Sequence, residues 1–120
     1  MNWNQEEEDE YGLSLSRFEA MLKTNKVFFF DSEEFENIIL HYLDTGKTNL
    51  AKKALKLGLE QHPESTGLRL VQVEILVYEN KLDLGEKILN HLSLIEPNNP
   101  EIYIQKANIH SKRGEHKKAV

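Results

Sequence analysis

Histidines and carboxylates are the side chains of this sequence that could carry out chemistry, because the chain contains no cysteine. No two histidines lie one helical turn apart, the spacing at which a helix holds a zinc ion. The five histidines are His41, His62, His91, His110 and His116. We therefore expect exposed or hydrogen-bonded histidines and no metal site.

The carboxylates and glycines predict no catalytic centre either. Acidic pairs such as Glu33 and Glu34 suit a helix start, where negative charge complements the helix dipole. The six glycines are scattered and form no phosphate-binding loop. Because nothing in the sequence places an acid and a base in one pocket, we expect no enzyme and no cofactor.

The charge of the chain is concentrated near its start. The net charge is −5, and the five acidic residues at positions 6–10 account for it, because the other 15 of the 20 acidic residues balance the 15 basic ones. A near-neutral remainder disfavours binding to nucleic acid, which requires a basic surface. The acidic run predicts a solvated, disordered tail or, alternatively, a ligand for a basic partner.

One local basic patch lies near the end of the sequence, at Lys112, Arg113, Lys117 and Lys118. We interpret it as a solvated helix face. The alternative is a surface for an acidic peptide, for nucleic acid, or for residues 6–10 of a neighbouring molecule, a contact that salt would screen.

Hydropathy and cysteine content bear on location. No apolar run approaches the roughly 20 residues that a transmembrane helix needs, and the acidic start differs from a secretory signal. A chain without cysteine is typical of a reducing compartment. We therefore expect a cytoplasmic protein that does not bind membranes.

Apolar residues recur at helical spacing along most of the chain. The predicted helices span residues 13–24, 33–44, 49–61, 66–79, 84–95 and 100–112, with a further helix beginning at Glu115. Start signals lie at Asp31 with Glu34 (a capping box), at Asp83, and at Asn99 with Pro100. Stop signals lie at Gly46, Pro63, Pro97 and Gly114.

Three consecutive aromatic residues, Phe28, Phe29 and Phe30, precede the second predicted helix. They cannot all point the same way on a regular element. We interpret them as a wedge that fixes the first helix, which carries Phe18, to the first repeat. An exposed docking patch is the alternative.

The sequence repeats with a period of 34 residues, which is typical of stacked helix pairs. Pro63 and Pro97 mark the period, and small residues recur in two columns, at Ala51, Gly85 and Ala119 and at Gly46, Asn80 and Gly114. The predicted organisation is an acidic tail over residues 1–12, a capping helix and aromatic linker over 13–31, repeats over 32–65 and 66–99, and a truncated repeat over 100–120.

These columns resemble the tetratricopeptide repeat family. The first window matches the family motif at Phe35, Tyr42, Ala51, Leu55, Gly58 and Pro63, and the third at Tyr103, Ala107, Gly114 and Ala119. The second window departs from it at Arg69 and Leu76. Ile39 stands at a small-residue position, where we expect Gly58 to make room for it. The resemblance implies an all-α fold, a right-handed superhelical stack of antiparallel helix pairs (an α-solenoid) behind the capping helix.

In similar proteins the first helix of each repeat lines a concave groove that binds a peptide or helix of a partner. The resemblance assigns this groove to Leu40, Leu43, Asp44, Leu70, Glu74, Val77, Tyr78, Ile104 and Asn108. Chaperone-binding members carry a lysine and asparagine clamp for a carboxylate. The clamp positions here include Glu36, Glu101 and Gln105, so we do not expect such a clamp.

The apolar groove has two interpretations: a partner segment fills it, or Phe18 and the aromatic triplet of the chain itself do. The truncated repeat is expected to leave Ile102, Ala107 and Ile109 uncovered, which predicts a longer array or self-association through this end. We therefore expect a protein interaction scaffold. A structural N-terminal cap of a longer array and an RNA-binding repeat are the alternatives.

Overall fold

Six α-helices make up the described part of the chain, which in this computed structural model covers the backbone of residues 3–119 and the side chains of residues 12–115. In chain order they are α1 (Trp3–Leu22), α2 (Ser32–Asp44), α3 (Thr48–Gln61), α4 (Thr66–Tyr78), α5 (Leu82–Ile95) and α6 (Pro100–Ala119). The chain divides into two compact units, Met1–Leu68 and Arg69–Val120. The all-α prediction is confirmed for these described residues.

The helices α2 to α5 begin and end within two residues of their predicted bounds. The predicted capping box is present at α2, where Asp31 Oδ1 accepts from the Glu34 N–H at 2.8 Å and Glu34 Oε1 accepts from the Asp31 N–H at 3.1 Å. At α6, Asn99 Oδ1 accepts from the Glu101 N–H at 3.0 Å, directly before Pro100. These local signals therefore position the helices as their chemistry predicts.

The long first helix corrects the prediction of a disordered tail over residues 1–12. Helix α1 begins at Trp3 and includes the acidic run at positions 6–10. Glutamate is a good helix former, and negative charge near a helix N-terminus is stabilised by the helix dipole. The acidic run therefore favours the helix that it was expected to precede. Residues 1 and 2 lie outside the described part of the chain.

The continuous helix α6 corrects the predicted break at Gly114. Glycine costs a helix only about 1 kcal/mol relative to alanine. The neighbouring Arg113 donates to Glu86 Oε2 and to Asp83 Oδ1, each at 2.6 Å, and so ties this part of α6 to α5. Asp83 does not cap α5, which begins one residue earlier, at Leu82, without a side-chain cap.

The turns after α2 and α4 repeat one backbone conformation at an interval of 34 residues. Gly46 and Asn80 have φ angles of 74° and 61°, in the left-handed region that favours glycine and asparagine. Both turns close with the hydrogen bonds of a Schellman motif. The bonds are Lys47 N to Tyr42 O (2.7 Å) and Gly46 N to Leu43 O (3.1 Å), then Lys81 N to Leu76 O (2.7 Å) and Asn80 N to Val77 O (3.0 Å).

The ends of α3 and α5 show the same repetition. His62 has φ −133° and ψ 69°, and Glu96 has φ −129° and ψ 72°. Each donates its N–H over 2.8 Å to the carbonyl four residues earlier, on Gly58 and Leu92 respectively. The 34-residue period is therefore a property of the folded backbone as well as of the sequence.

An aromatic cluster forms much of the core of residues 1–68. The ring centroid of Phe18 lies 6.1 Å from those of Phe30 and Tyr42, and that of Phe30 lies 5.4 Å from that of Phe35. All four side chains are buried. Phe30 therefore acts as the predicted wedge between α1 and α2, whereas Phe29 is 76% exposed.

The linker, residues 23–31, is held by the end of α3. The Gln61 amide Nε2 donates to Phe28 O at 2.8 Å, and Gln61 Oε1 accepts from the Phe30 N–H at 3.1 Å. His62 Nε2 lies 2.6 Å from Phe30 O, and the Arg17 guanidinium donates to Phe29 O at 3.2 Å. Because buried backbone groups need partners, these bonds let a non-helical segment pack beside the core.

Gly58 makes room for Phe35, which corrects the expectation that it accommodates Ile39. A Cβ atom at position 58 would lie 3.0 Å from Phe35 Cγ and 3.2 Å from Leu68 Cδ1. Ile39 is fully buried on the same helix as Phe35. The close packing of α2 and α3 thus depends on glycine opposite an aromatic ring.

An aliphatic cluster forms the core of residues 69–120. It joins α4, α5 and α6 through Val73, Leu82, Leu89, Leu92, Ile102 and Ile109. Ile102 and Ile109, which the truncated repeat was expected to leave uncovered, are buried because they lie seven residues apart on the face of α6 that packs on α5. Only Ala107 of the three is exposed, so this part of the prediction is wrong.

Candidate functional site

The groove positions of residues 69–120 fall on one face of α4 and one face of α6. Those on α4 are Leu70, Glu74, Val77 and Tyr78, and those on α6 are Ile104 and Asn108. Leu70 and Val77 are half-buried against the aliphatic core, whereas Tyr78 is 74% exposed and Ile104 is also exposed. Each face thus has an apolar base and accessible side chains at helical spacing.

A cavity of about 150 Å³ lies between these two helices. It is lined by Glu74 and Val77 from α4 and by Glu101, Gln105 and Asn108 from α6. Glu74, Val77 and Asn108 are assigned groove positions, and Glu101 and Gln105 stand at the clamp positions. The structure therefore brings these side chains of α4 and α6 together in one site.

Another depression, at the turn over residues 96–100, is lined by five consecutive residues of that turn. No second element faces it, so side chains do not converge there from two helices. The cavity between α4 and α6 is accordingly the candidate site.

Gln105 is the buried polar residue of the cavity. It is 5% exposed, and its Oε1 atom has no hydrogen-bond partner. Buried side-chain acceptors are nearly always paired in native proteins, and an unpaired one costs about 1–3 kcal/mol. Gln105 therefore gives the cavity an acceptor whose bonding capacity is unused.

Sequence reasoning gave Gln105 no role beyond its departure from a carboxylate clamp. A signal was present, because Ile102, Gln105 and Ile109 follow one another at helical spacing and so share a face of α6. A polar residue within an apolar stripe is a candidate for a buried polar contact. Its lack of a partner depends on tertiary packing and could not be predicted.

The groove positions on α2 lie apart from the aromatic cluster. They are Leu40, Leu43 and Asp44, of which Leu40 and Asp44 are exposed and Leu43 is half-buried. Phe18 and Phe30 pack instead on Phe35 and Tyr42. The interpretation in which the aromatic residues of the chain fill the groove is therefore wrong for α2.

Glu36, at a clamp position on α2, lies against the first turn of α4. A Cβ atom on Gly67 would lie 2.6 Å from its carboxylate. Partial burial raises the pKa of Glu36 above its ordinary value of 4.5, and the nearby carboxylate of Glu33 raises it further. The charged form of Glu36 is thus disfavoured in the folded protein.

The histidines and basic residues that could do chemistry have structural contacts where they are described. His62 binds the linker and its ring lies 6.0 Å from that of Phe35. Arg113 of the basic patch is paired with α5, while the side chains of Lys117 and Lys118 lie outside the described residues. Within residues 12–115, no three His, Asp or Glu side chains form a group that could hold a metal ion.

The described residues define an all-helical protein in which helices joined by short turns pack on one another. None of the described helices is both long enough and apolar enough to cross a membrane. The chain has no significant match among protein-family models, curated proteins or solved structures. Membership of the tetratricopeptide repeat family therefore stays a prediction from the residue columns and the period.

Proposed function

We propose that this protein is an interaction scaffold that binds a peptide or helix of a partner protein on the facing sides of α4 and α6. The observation that carries the proposal is the cavity lined by both helices. Tyr78 and Ile104, exposed on the same two helices, offer apolar surface to a partner. Burying one large apolar side chain of a ligand contributes about 1.5–3 kcal/mol.

A stacked, superhelical arrangement of the helix pairs belongs to the same proposal. Its support is the recurrence of the Schellman turns and of the α3 and α5 ends at 34 residues, because equal turns orient successive helices in equal ways. A cytoplasmic, non-catalytic role is also part of the proposal, supported by the absence of cysteine from the sequence.

Random peptides displayed on phage and selected against the full-length chain would supply ligands of defined sequence. We expect the double variant Tyr78→Asp, Ile104→Asp to weaken the selected peptides by about tenfold or more, because it places charge on the apolar surface. Fluorescence anisotropy of labelled peptides measures the change. Circular dichroism checks that the variant remains helical.

The matched control is Leu94→Asp, which alters an 82% exposed leucine on α5, outside the groove positions. We expect the selected peptides to bind this variant as they bind the unaltered chain. Peptides that bind the double variant with unchanged affinity would contradict the proposal.

A structural cap is the second candidate function, favoured by the burial of Phe18 and Phe30 against α2. In that case α1 and the linker close one end of a helix array, and peptide selection yields no ligand that depends on α4 and α6. Self-association is tested separately through the exposed Tyr103 and Ile104 of α6. Sedimentation over a range of concentrations should show a lower mass for Ile104→Asp if α6 joins two copies.

A further inference from the structure

We infer that the cavity between α4 and α6 is a subsite for one basic side chain of the bound segment, with arginine favoured over lysine. The inference rests on the proposed function, since it names the kind of residue that the segment inserts. It is carried by the unpaired acceptor of Gln105 together with the charge and size of the cavity.

The unpaired acceptor selects a hydrogen-bond donor. Gln105 Oε1 is buried and unpartnered, so an apolar ligand side chain would leave it unsatisfied. A ligand carboxylate offers only acceptors and would meet this oxygen without a hydrogen bond. A donor group removes the penalty of the unpaired oxygen, and the bond is stronger when the donor is charged.

The charges around the cavity select a cation. Glu74 on α4 and Glu101 on α6 contribute carboxylates, and the other lining residues are Val77, Gln105 and Asn108. No lining residue is basic. An anionic ligand would be repelled from both sides, whereas a cation would meet negative charge on each helix.

The size of the cavity selects a side chain rather than a free small molecule. Its volume is about 150 Å³, whereas pockets for drug-sized ligands and cofactors occupy about 300–1,000 Å³. Val77, which is half-buried at the base, can pack against the aliphatic stem of a long side chain. The charged end then meets the polar residues.

The arrangement of acceptors favours arginine over lysine. A guanidinium presents five N–H donors in a planar fork, and it can serve Gln105 and carboxylates on two helices at once. An ammonium group has three donors on a single nitrogen and is more strongly hydrated. We therefore expect lysine to bind the same subsite more weakly.

The selected peptides provide the first test. Each arginine is replaced in turn by citrulline, which keeps the shape and loses the charge, and each lysine by norleucine. We expect one position to lose affinity by roughly tenfold to a hundredfold. With the double variant Glu74→Gln, Glu101→Gln, the arginine and citrulline peptides should bind almost equally, because the coupling between the two charges is gone.

The matched control removes an exposed carboxylate elsewhere on α6, by Glu115→Gln. It should preserve the preference for arginine. Peptides that depend on Ile104 but on no basic residue would overturn the basic subsite and leave the proposed function standing. Peptides that depend on neither Tyr78 nor Ile104 would overturn the proposed function itself.

A second test uses N-acetyl-arginine N-methylamide as the probe and needs no selected peptide. Titrated into the full-length chain, it should shift the NMR signals of the Gln105 side-chain amide and of the Val77 and Asn108 backbone amides. Gln105→Met, which removes the acceptor at similar size, should weaken this binding about tenfold. Equal shifts with the citrulline amide would overturn the inference.

Discussion

The two units share a repeated backbone but use equivalent positions differently. In residues 1–68 the end of α3 carries Gln61, whose amide binds the linker on both sides of Phe29. The position 34 residues later is Ile95, at the end of α5, and its side chain is exposed. The same helix end therefore holds a covering segment in one unit and faces solvent in the other.

Buried polar groups differ between the units in the same direction. The segment that covers α2 has its carbonyls and amides bound by Gln61, His62 and Arg17. Among the described residues, the buried side-chain atoms without a partner are Glu96 Oε2 and Gln105 Oε1, and both lie in residues 69–120. Conflicts with packing rules tend to mark functional sites, and here they fall in the unit that carries the cavity.

The largest difference should come from the aromatic wedge of residues 1–68. Phe30→Ala removes a ring that is 3% exposed, and we expect it to lower the free energy of unfolding by about 3–5 kcal/mol. Phe29→Ala, next to it in the chain, removes a largely exposed ring and should change stability by less than about 0.5 kcal/mol. Urea denaturation followed by circular dichroism measures both. Equal losses would show that the linker does not divide its aromatic residues as described.

The hydrogen bonds of Gln61 should give the next largest effect. Gln61→Leu leaves the Phe28 carbonyl and the Phe30 N–H without this partner, at an expected cost of about 1–3 kcal/mol. Hydrogen exchange at the Phe30 amide should become faster. The control is Ile95→Leu at the equivalent position, which should alter stability by less than about 0.5 kcal/mol. Unchanged exchange in Gln61→Leu would remove this contrast between the units.

Two helix glycines compare the tightness of packing in the units. Gly58→Ala places a methyl group 3.0 Å from the Phe35 ring, and overpacking of about 1–3 kcal/mol should exceed the gain of about 1 kcal/mol in helix propensity. At Gly85 the nearest atom is the terminal methyl of Ile109, at 3.3 Å. Because that methyl can move, Gly85→Ala should be closer to neutral. Thermal unfolding that ranks them in the opposite order would contradict the packing of α2 on α3.

The smallest expected effect is a pH dependence at Glu36. The folded protein binds this proton more tightly than the unfolded chain does, because burial and Glu33 raise the pKa of Glu36 above 4.5. The resulting stability is present below about pH 4.5 and lost as the pH rises through the folded-state pKa. Glu36→Gln should therefore raise Tm near about pH 7 and change it little near about pH 4. Glu60→Gln, at an exposed site on α3, should show no such dependence.

Local chemistry made most of the helix bounds predictable. Asp31 with Glu34 and Asn99 with Pro100 act through neighbours in sequence, so their roles did not depend on distant contacts. Gly46 and Asn80 occupy a backbone conformation that few residues tolerate. Asp83 and Gly114 failed as signals, because Asp83 binds Arg113 on α6 and the helix runs on through Gly114.

The groove residues were predictable as a set but not as a site. Their spacing placed Glu74 and Val77 on one face of α4 and Ile104 and Asn108 on one face of α6. Periodicity says which residues share a face, and it does not say how closely two helices approach. The volume between α4 and α6, and the burial of Gln105 there, follow from side-chain packing across the two helices.

The sequence by itself determined an all-α chain, its 34-residue period and the bounds of most helices, because caps, turns and helical periodicity are short-range. Tertiary structure decided which of three adjacent phenylalanines is buried, that Gly58 faces Phe35, and that Ile102 and Ile109 are covered. It also decided that Gln105 reaches the cavity without a partner. These outcomes depend on volumes and donors supplied by residues far apart in the chain, which no local pattern records.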